Sequence, residues 1–162
     1  MAAASVSTAG QVSEGVLHRI LENTVEKNGK TYFRFRTWTD GLPHQIDYLE
    51  CVRKDEKGYY SIDEKEEDAV EQADYVLPLK VGATWKRVTK SRTTTVTVVA
   101  LESVEIEGET YKNCYHLRTT NTATQFTEEL WLAPNLGTIK SLMAFGGASR
   151  LSLTLKDFKT GK

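Results

Sequence analysis

A chain of 162 residues with 40% apolar and 27% charged side chains has the length of one domain and enough apolar mass to build a core, which excludes disorder and collagen-like structure. Its 21 basic and 22 acidic residues leave a net charge of −1, so no global field draws in nucleic acid or an anionic membrane. No apolar run reaches the roughly 20 residues of a membrane-spanning helix.

Residues 1–9 have neither the basic start nor the apolar stretch of a secretory signal and are read as a flexible tail. Residues 10–162 are read as a single β domain. Short runs rich in Val, Ile, Thr, Tyr, Phe and Trp predict strands at 14–26, 31–39, 44–54, 59–63, 74–78, 84–105, 110–120, 124–133, 138–145 and 149–158. Between them lie turn signals: Asn28-Gly29, Asp40-Gly41, Asp55 to Gly58, Gly108, Asn135-Leu136-Gly137 and Gly146-Gly147. Residues 64–73 alone could pass for a helix, and a short one. In the last strand Leu151, Leu153 and Leu155 alternate with polar residues, which gives one packed and one wet face. In 31–39, Phe33 and Phe35 point one way while Tyr32 and Trp38 point the other, so this strand is covered on both faces or lines a groove.

Shifting the chain by 79 positions lays Val25-Glu26-Lys27-Asn28-Gly29-Lys30-Thr31-Tyr32 on Val104-Glu105-Ile106-Glu107-Gly108-Glu109-Thr110-Tyr111, with five of eight positions identical, and carries Gly58 onto Gly137 without a gap. The chain therefore reads as two half-repeats, 10–80 and 81–162, with Leu77-Pro78-Leu79-Lys80-Val81-Gly82-Ala83-Thr84-Trp85 as a joint and anchor between them. A gapless offset predicts equal strand lengths and the same register, hence the same faces, in both halves. Residues 1–80 carry 10 basic and 15 acidic side chains and residues 81–162 carry 11 and 7, so the halves attract weakly. The fold expected is all-β: an antiparallel meander of two repeated halves forming a curled open sheet or half-barrel, with at most one short helix.

The chemistry in the sequence is sparse. Cys51 and Cys114 lack metal or redox spacing and read as buried free thiols. The acidic cluster Asp63, Glu64, Glu66, Glu67, Asp68, Glu71 and Asp74 lacks the spacing of a calcium loop and reads as a solvated loop. His18, His44 and His116 are isolated, and Gly146-Gly147-Ala148-Ser149-Arg150 does not match a nucleophile turn. Glu128 and Glu129 are adjacent on a strand and face opposite sides. Arg34 and Arg36 share a face with Tyr32 and Trp38, which suits either an oligonucleotide-binding sheet or, with better support from the composition, cross-strand pairing with carboxylates. No catalytic, cofactor or metal residue is assigned. The candidates for lining a ligand pocket, with core packing as the alternative for each, are Phe33, Phe35, Trp38, Trp85, Phe126 and Trp131.

Three segments carry a resemblance: Leu77 to Trp85, Val104-Glu105-Ile106-Glu107-Gly108-Glu109-Thr110-Tyr111-Lys112-Asn113-Cys114, and Glu129-Leu130-Trp131-Leu132-Ala133-Pro134-Asn135-Leu136-Gly137-Thr138-Ile139-Lys140. In this order they resemble uncharacterised bacterial exported and lipoprotein-like β domains, which look similar to the curled half-barrels of lipoprotein carriers. The resemblance implies a periplasmic or envelope location, with the cytoplasm as the alternative, and a concave apolar face. The expected function is a non-enzymatic β domain that binds a hydrophobic small molecule or lipid, or a protein partner, on that face. The alternatives are an assembly module pairing through strand edges and an enzyme whose site is dispersed in sequence.

Overall fold

A computed structural model describes residues 2–8, 11–42, 45–66, 69–88, 93–146 and 149–156, with side chains from Ser13 onward. Among them run β1 Ala2–Thr8, β2 Gln11–Lys27, β3 Lys30–Asp40, β4 Asp47–Lys54, β5 Gly58–Ile62, β6 Gln72–Val76, β7 Thr84–Val88, β8 Thr93–Ile106, β9 Glu109–Asn121, β10 Phe126–Ala133, β11 Gly137–Phe145 and β12 Ser149–Leu155. They pair antiparallel in the order β6-β5-β4-β3-β2-β1-β12-β11-β10-β9-β8-β7. The fold is all-β without a helix among the described residues, and its six-stranded halves act as two sheets that do not close into a barrel.

Three expectations change. Residues 2–8 are not a tail in this structure: they form β1, paired with β2 on one side and β12 on the other, and thus join the halves. The single strand predicted over 84–105 is two, β7 and β8, which pair with each other on either side of residues 89–92. Residues 63–66 and 69–71 are loop where a helix was conceivable, and their carbonyls at Asp63, Glu64 and Glu66 accept hydrogen bonds from the Lys27 ammonium. A single half-buried ammonium can thus hold a segment whose own charges repel one another. His44, Glu67, Asp68 and Gly147 lie outside the described residues.

The spacing of 79 matches the strand boundaries. It carries Asp47–Lys54 onto Phe126–Ala133, which are β4 and β10, and the first residues of β3 and β5 onto those of β9 and β11. At the hairpin tips register agrees too, since Val25 pairs with Tyr32 as Val104 pairs with Tyr111. Both turns have their two central residues in the left-handed region: Asn28 and Gly29 at φ 53° and 69°, Glu107 and Gly108 at φ 51° and 86°. That pair of conformations matches the twist of the flanking strands, and glycine takes the second of them without strain.

Beyond the tips the faces diverge, contrary to the expectation from a gapless offset. The β2–β3 pair has one irregularity, an extra residue on β2 between Leu21 and Asn23, whereas the β8–β9 pair has two, an extra residue on β8 between Val98 and Ala100 and one on β9 between Tyr111 and Cys114. Each inserted residue inverts the alternation that follows. Cys51 therefore packs with Tyr32 and Ile62, while Leu130, its counterpart by offset, packs against Val96, Val98 and Leu117.

The ladder ends at β6 and β7, and curling brings these edges within side-chain reach. The Trp85 indole N–H donates to the Ala73 carbonyl at 3.0 Å, the Val88 N–H donates to the Gln72 side chain at 2.8 Å, and Arg87 pairs with Asp74 at 2.8 Å. Side chains thus occupy edge groups that would otherwise stand unpaired. This seam defines an inner face.

Candidate functional site

Register identifies the inner face residue by residue. Val98 pairs with Leu117, Leu117 with Leu130, Leu130 with Ser141, Ser141 with Leu153, Leu153 with Ala4 and Ala4 with Gly15. Directly opposed residues share a face, and every second residue along a strand returns to it. From Gly15 the same side continues to Leu17, Arg19 and Leu21. Arg19 then pairs with Thr37 and Thr37 with Tyr48; Leu21 pairs with Phe35 and Phe35 with Glu50; Phe33 pairs with Val52 and Val52 with Ser61. Tyr59, two residues before Ser61, belongs to the same side.

The two halves of this face are covered differently. In the second half Val96, Val98 and Leu117 are buried, with Tyr75 of β6, Leu79, Ala83, Leu130, Leu132 and Trp85, the ladder partner of Val96, packed against them, while Phe145 at the far end of the same side is 46% exposed. Leu79, Ala83 and Trp85 belong to the anchor segment recognised in the sequence; Tyr75 precedes it on β6, where it pairs with Tyr59 and meets that ring edge-on at 5.7 Å. In the first half Leu21 is 52% exposed, Phe33 47%, Tyr48 48% and Tyr59 37%. Isolated exposed apolar side chains are ordinary; these four lie on adjacent strands of one face.

Charged groups frame the open face. Arg19 and Glu50 form an ion pair at 2.7 Å, with the Arg19 guanidinium 4.5 Å over the Phe35 ring. At the opposite end the Lys54 ammonium lies 5.1 Å from the Tyr59 ring. Toward the seam, Asp74 accepts from Ser61 at 3.0 Å and pairs with Arg87. Burial raises the Asp74 carboxyl above its ordinary range, and the nearby Arg87 charge offsets this only in part.

The six residues singled out in the sequence are not gathered at one place. Phe33 and Phe35 lie on the open part of the inner face, and Trp85 lies on the same side of β7, packed against Val96, Val98 and Leu117. Phe126 meets Phe145 with centroids 5.5 Å apart, and with Thr124 and Gly146 they line a shallow cavity of about 370 Å³. Trp38 and Trp131 are on the outer face. Trp38 stacks on His18 at 4.8 Å, and Trp131 stacks on His116 at 4.4 Å while its indole N–H donates to Glu102 at 2.7 Å. Leu21, Tyr48, Tyr59 and Lys54 complete the open face and were not singled out in the sequence. Alternation places Tyr48, Val52 and Lys54 together on β4, but the irregularity beside Leu21 hides its alignment with Phe35.

The remaining polar clusters on the outer face have structural partners. Arg34 pairs with Glu64 at 2.9 Å and Arg36 with Asp47 at 2.8 Å, which is the carboxylate pairing considered for these arginines. Under the loop before β6, Glu71 accepts from Arg53, from Lys30 at 2.8 Å and from Tyr32 at 2.7 Å. Burial alone would raise the Glu71 carboxyl, but these hydrogen bonds prevail and hold it down at about 2. The Cys51 thiol is pushed up to about 11 by burial and by the neighbouring Glu64 carboxylate. Cys51 and Cys114 are both buried and free, as expected. No group of three His, Cys, Asp or Glu side chains among the described residues has metal-binding geometry. Comparison with protein families, curated proteins and solved structures finds no match to this chain.

Proposed function

We propose that this protein is a binding domain, not an enzyme, which takes a hydrophobic ligand on the inner face of β2–β5. The supporting observation is the unequal burial along one sheet face: Val96, Val98 and Leu117 of β8 and β9 are buried among Tyr75, Leu79, Ala83 and Trp85, whereas Leu21, Phe33, Tyr48 and Tyr59 of β2–β5 are exposed. A small molecule fits this surface better than a folded partner, because a stable protein interface takes about 800 Å² from each side and a handful of side chains falls well short. The envelope location implied by the sequence resemblance belongs to the same reading. Assembly through strand edges has weaker support, since side chains bridge the β6 and β7 edges.

Titration with the fluorescent apolar probe 1-anilinonaphthalene-8-sulfonate tests the reading. Saturable enhancement is expected and should fall at least several-fold in Phe33→Ser and Leu21→Ser, while Ile20→Ser, an exposed change on the outer face, leaves it intact. Equal loss in all three variants, or no saturable signal, refutes it.

A further inference from the structure

We infer that the ligand is a free anionic single-chain amphiphile, whose carboxylate head pairs with Lys54 and whose chain lies along Tyr59, Val52 and Phe33 toward Leu21. This rests on the proposed binding face and adds the chemistry of its occupant. Val52 pairs with Phe33, and Lys54 is the next residue of β4 on that side, so the ammonium lies at the end of the apolar track. Lys54 pairs in the ladder with Tyr59, and its ammonium lies against the Tyr59 ring, with no carboxylate partner among the described residues. The other charges on the track are matched: Arg19 by Glu50, and Asp74 by Arg87 and Ser61. An anionic head therefore meets one available cation at one end of the face, where a cationic head would be repelled. The chain of such a molecule covers the exposed rings and displaces water from them at about 0.8 kcal/mol per methylene buried.

Calorimetric titration with dodecanoate below its micelle concentration, set against the neutral dodecanamide, tests the inference. One dodecanoate should bind per chain, about two- to fivefold more tightly than dodecanamide, as an exposed ion pair provides. Lys54→Gln should abolish that preference and leave dodecanamide binding unchanged, whereas Phe33→Ser should weaken both. Equal affinity for the two molecules in the wild type, or a preference that survives Lys54→Gln, overturns the assignment of the head group and leaves the binding face standing. Failure of both molecules to bind, or equal weakening by Ile20→Ser, removes the face as well. Adsorption of the protein to anionic vesicles without binding of monomeric dodecanoate also overturns the inference, because the occupant would then be a membrane surface.

Discussion

Two half-buried charged residues, Lys27 and Glu71, tie loops to strands in this protein. Glu71 fastens the loop before β6 onto β3 and β4 through Lys30, Tyr32 and Arg53. Because its folded-state pKa lies below that of an unfolded carboxylate, its contribution is complete above about pH 4.5 and is lost as pH falls toward about 2. Urea midpoints measured from pH 6 to pH 2 should drop across that window in the wild type. Glu71→Gln should start from a lower midpoint at pH 6 and drop less. The thiols give a second check. Burial raises Cys51 and Cys114 above an ordinary thiol, so at pH 8 both should resist a thiol reagent in the folded protein. After unfolding, two thiols should be counted with or without reductant; a count that rises on reduction contradicts the free state of both.

Among elements, hairpin geometry shows why two glycines at repeated positions serve different needs. Gly137 has φ 80°, whereas Gly58 has no positive φ; any Cβ on Gly58 would collide with the Tyr75 carbonyl oxygen on the adjacent strand. Gly58→Ala should therefore destabilise by about 1–3 kcal/mol through overpacking between β5 and β6, measurable by chemical denaturation. At Gly108 open space surrounds the position, so the cost of Gly108→Val comes from the left-handed backbone alone. A loss of at least about 1 kcal/mol is expected there, and a neutral result would mean that the turn changes type.

At the scale of the whole molecule, the β1–β12 pairing and the β6–β7 seam couple the two halves, whose buried residues form separate clusters. Trp85 is the side chain most committed to both, because its ring covers Val96 and Val98 while its N–H reaches across to Ala73. Trp85→Ala should cost about 3–5 kcal/mol, and the variant should still unfold in a single transition by circular dichroism and by fluorescence of the remaining tryptophans. Two separated transitions would show that the halves unfold independently.

Strand type, turn positions and the spacing of 79 could all be read from local signals, because β-branched and aromatic runs, Asn-Gly turns and period-two alternation act over a few residues. β1 escaped such a reading: Ala2-Ala3-Ala4-Ser5-Val6 has little intrinsic strand preference and is held by partners on both sides. The face each aromatic occupies also had to await the fold. Alternation within residues 31–39 already separates Phe33 and Phe35 from Trp38, but one inserted residue inverts every later side chain and leaves no mark in composition, so the face that each shares with the distant Trp85, Phe126 and Trp131 was not legible. The open face itself is a tertiary property. The residues of β2–β5 specify an apolar side, but its exposure depends on where the segment after β6 comes to rest, and Leu79, Ala83 and Trp85 pack against Val96, Val98 and Leu117 of β8 and β9 instead.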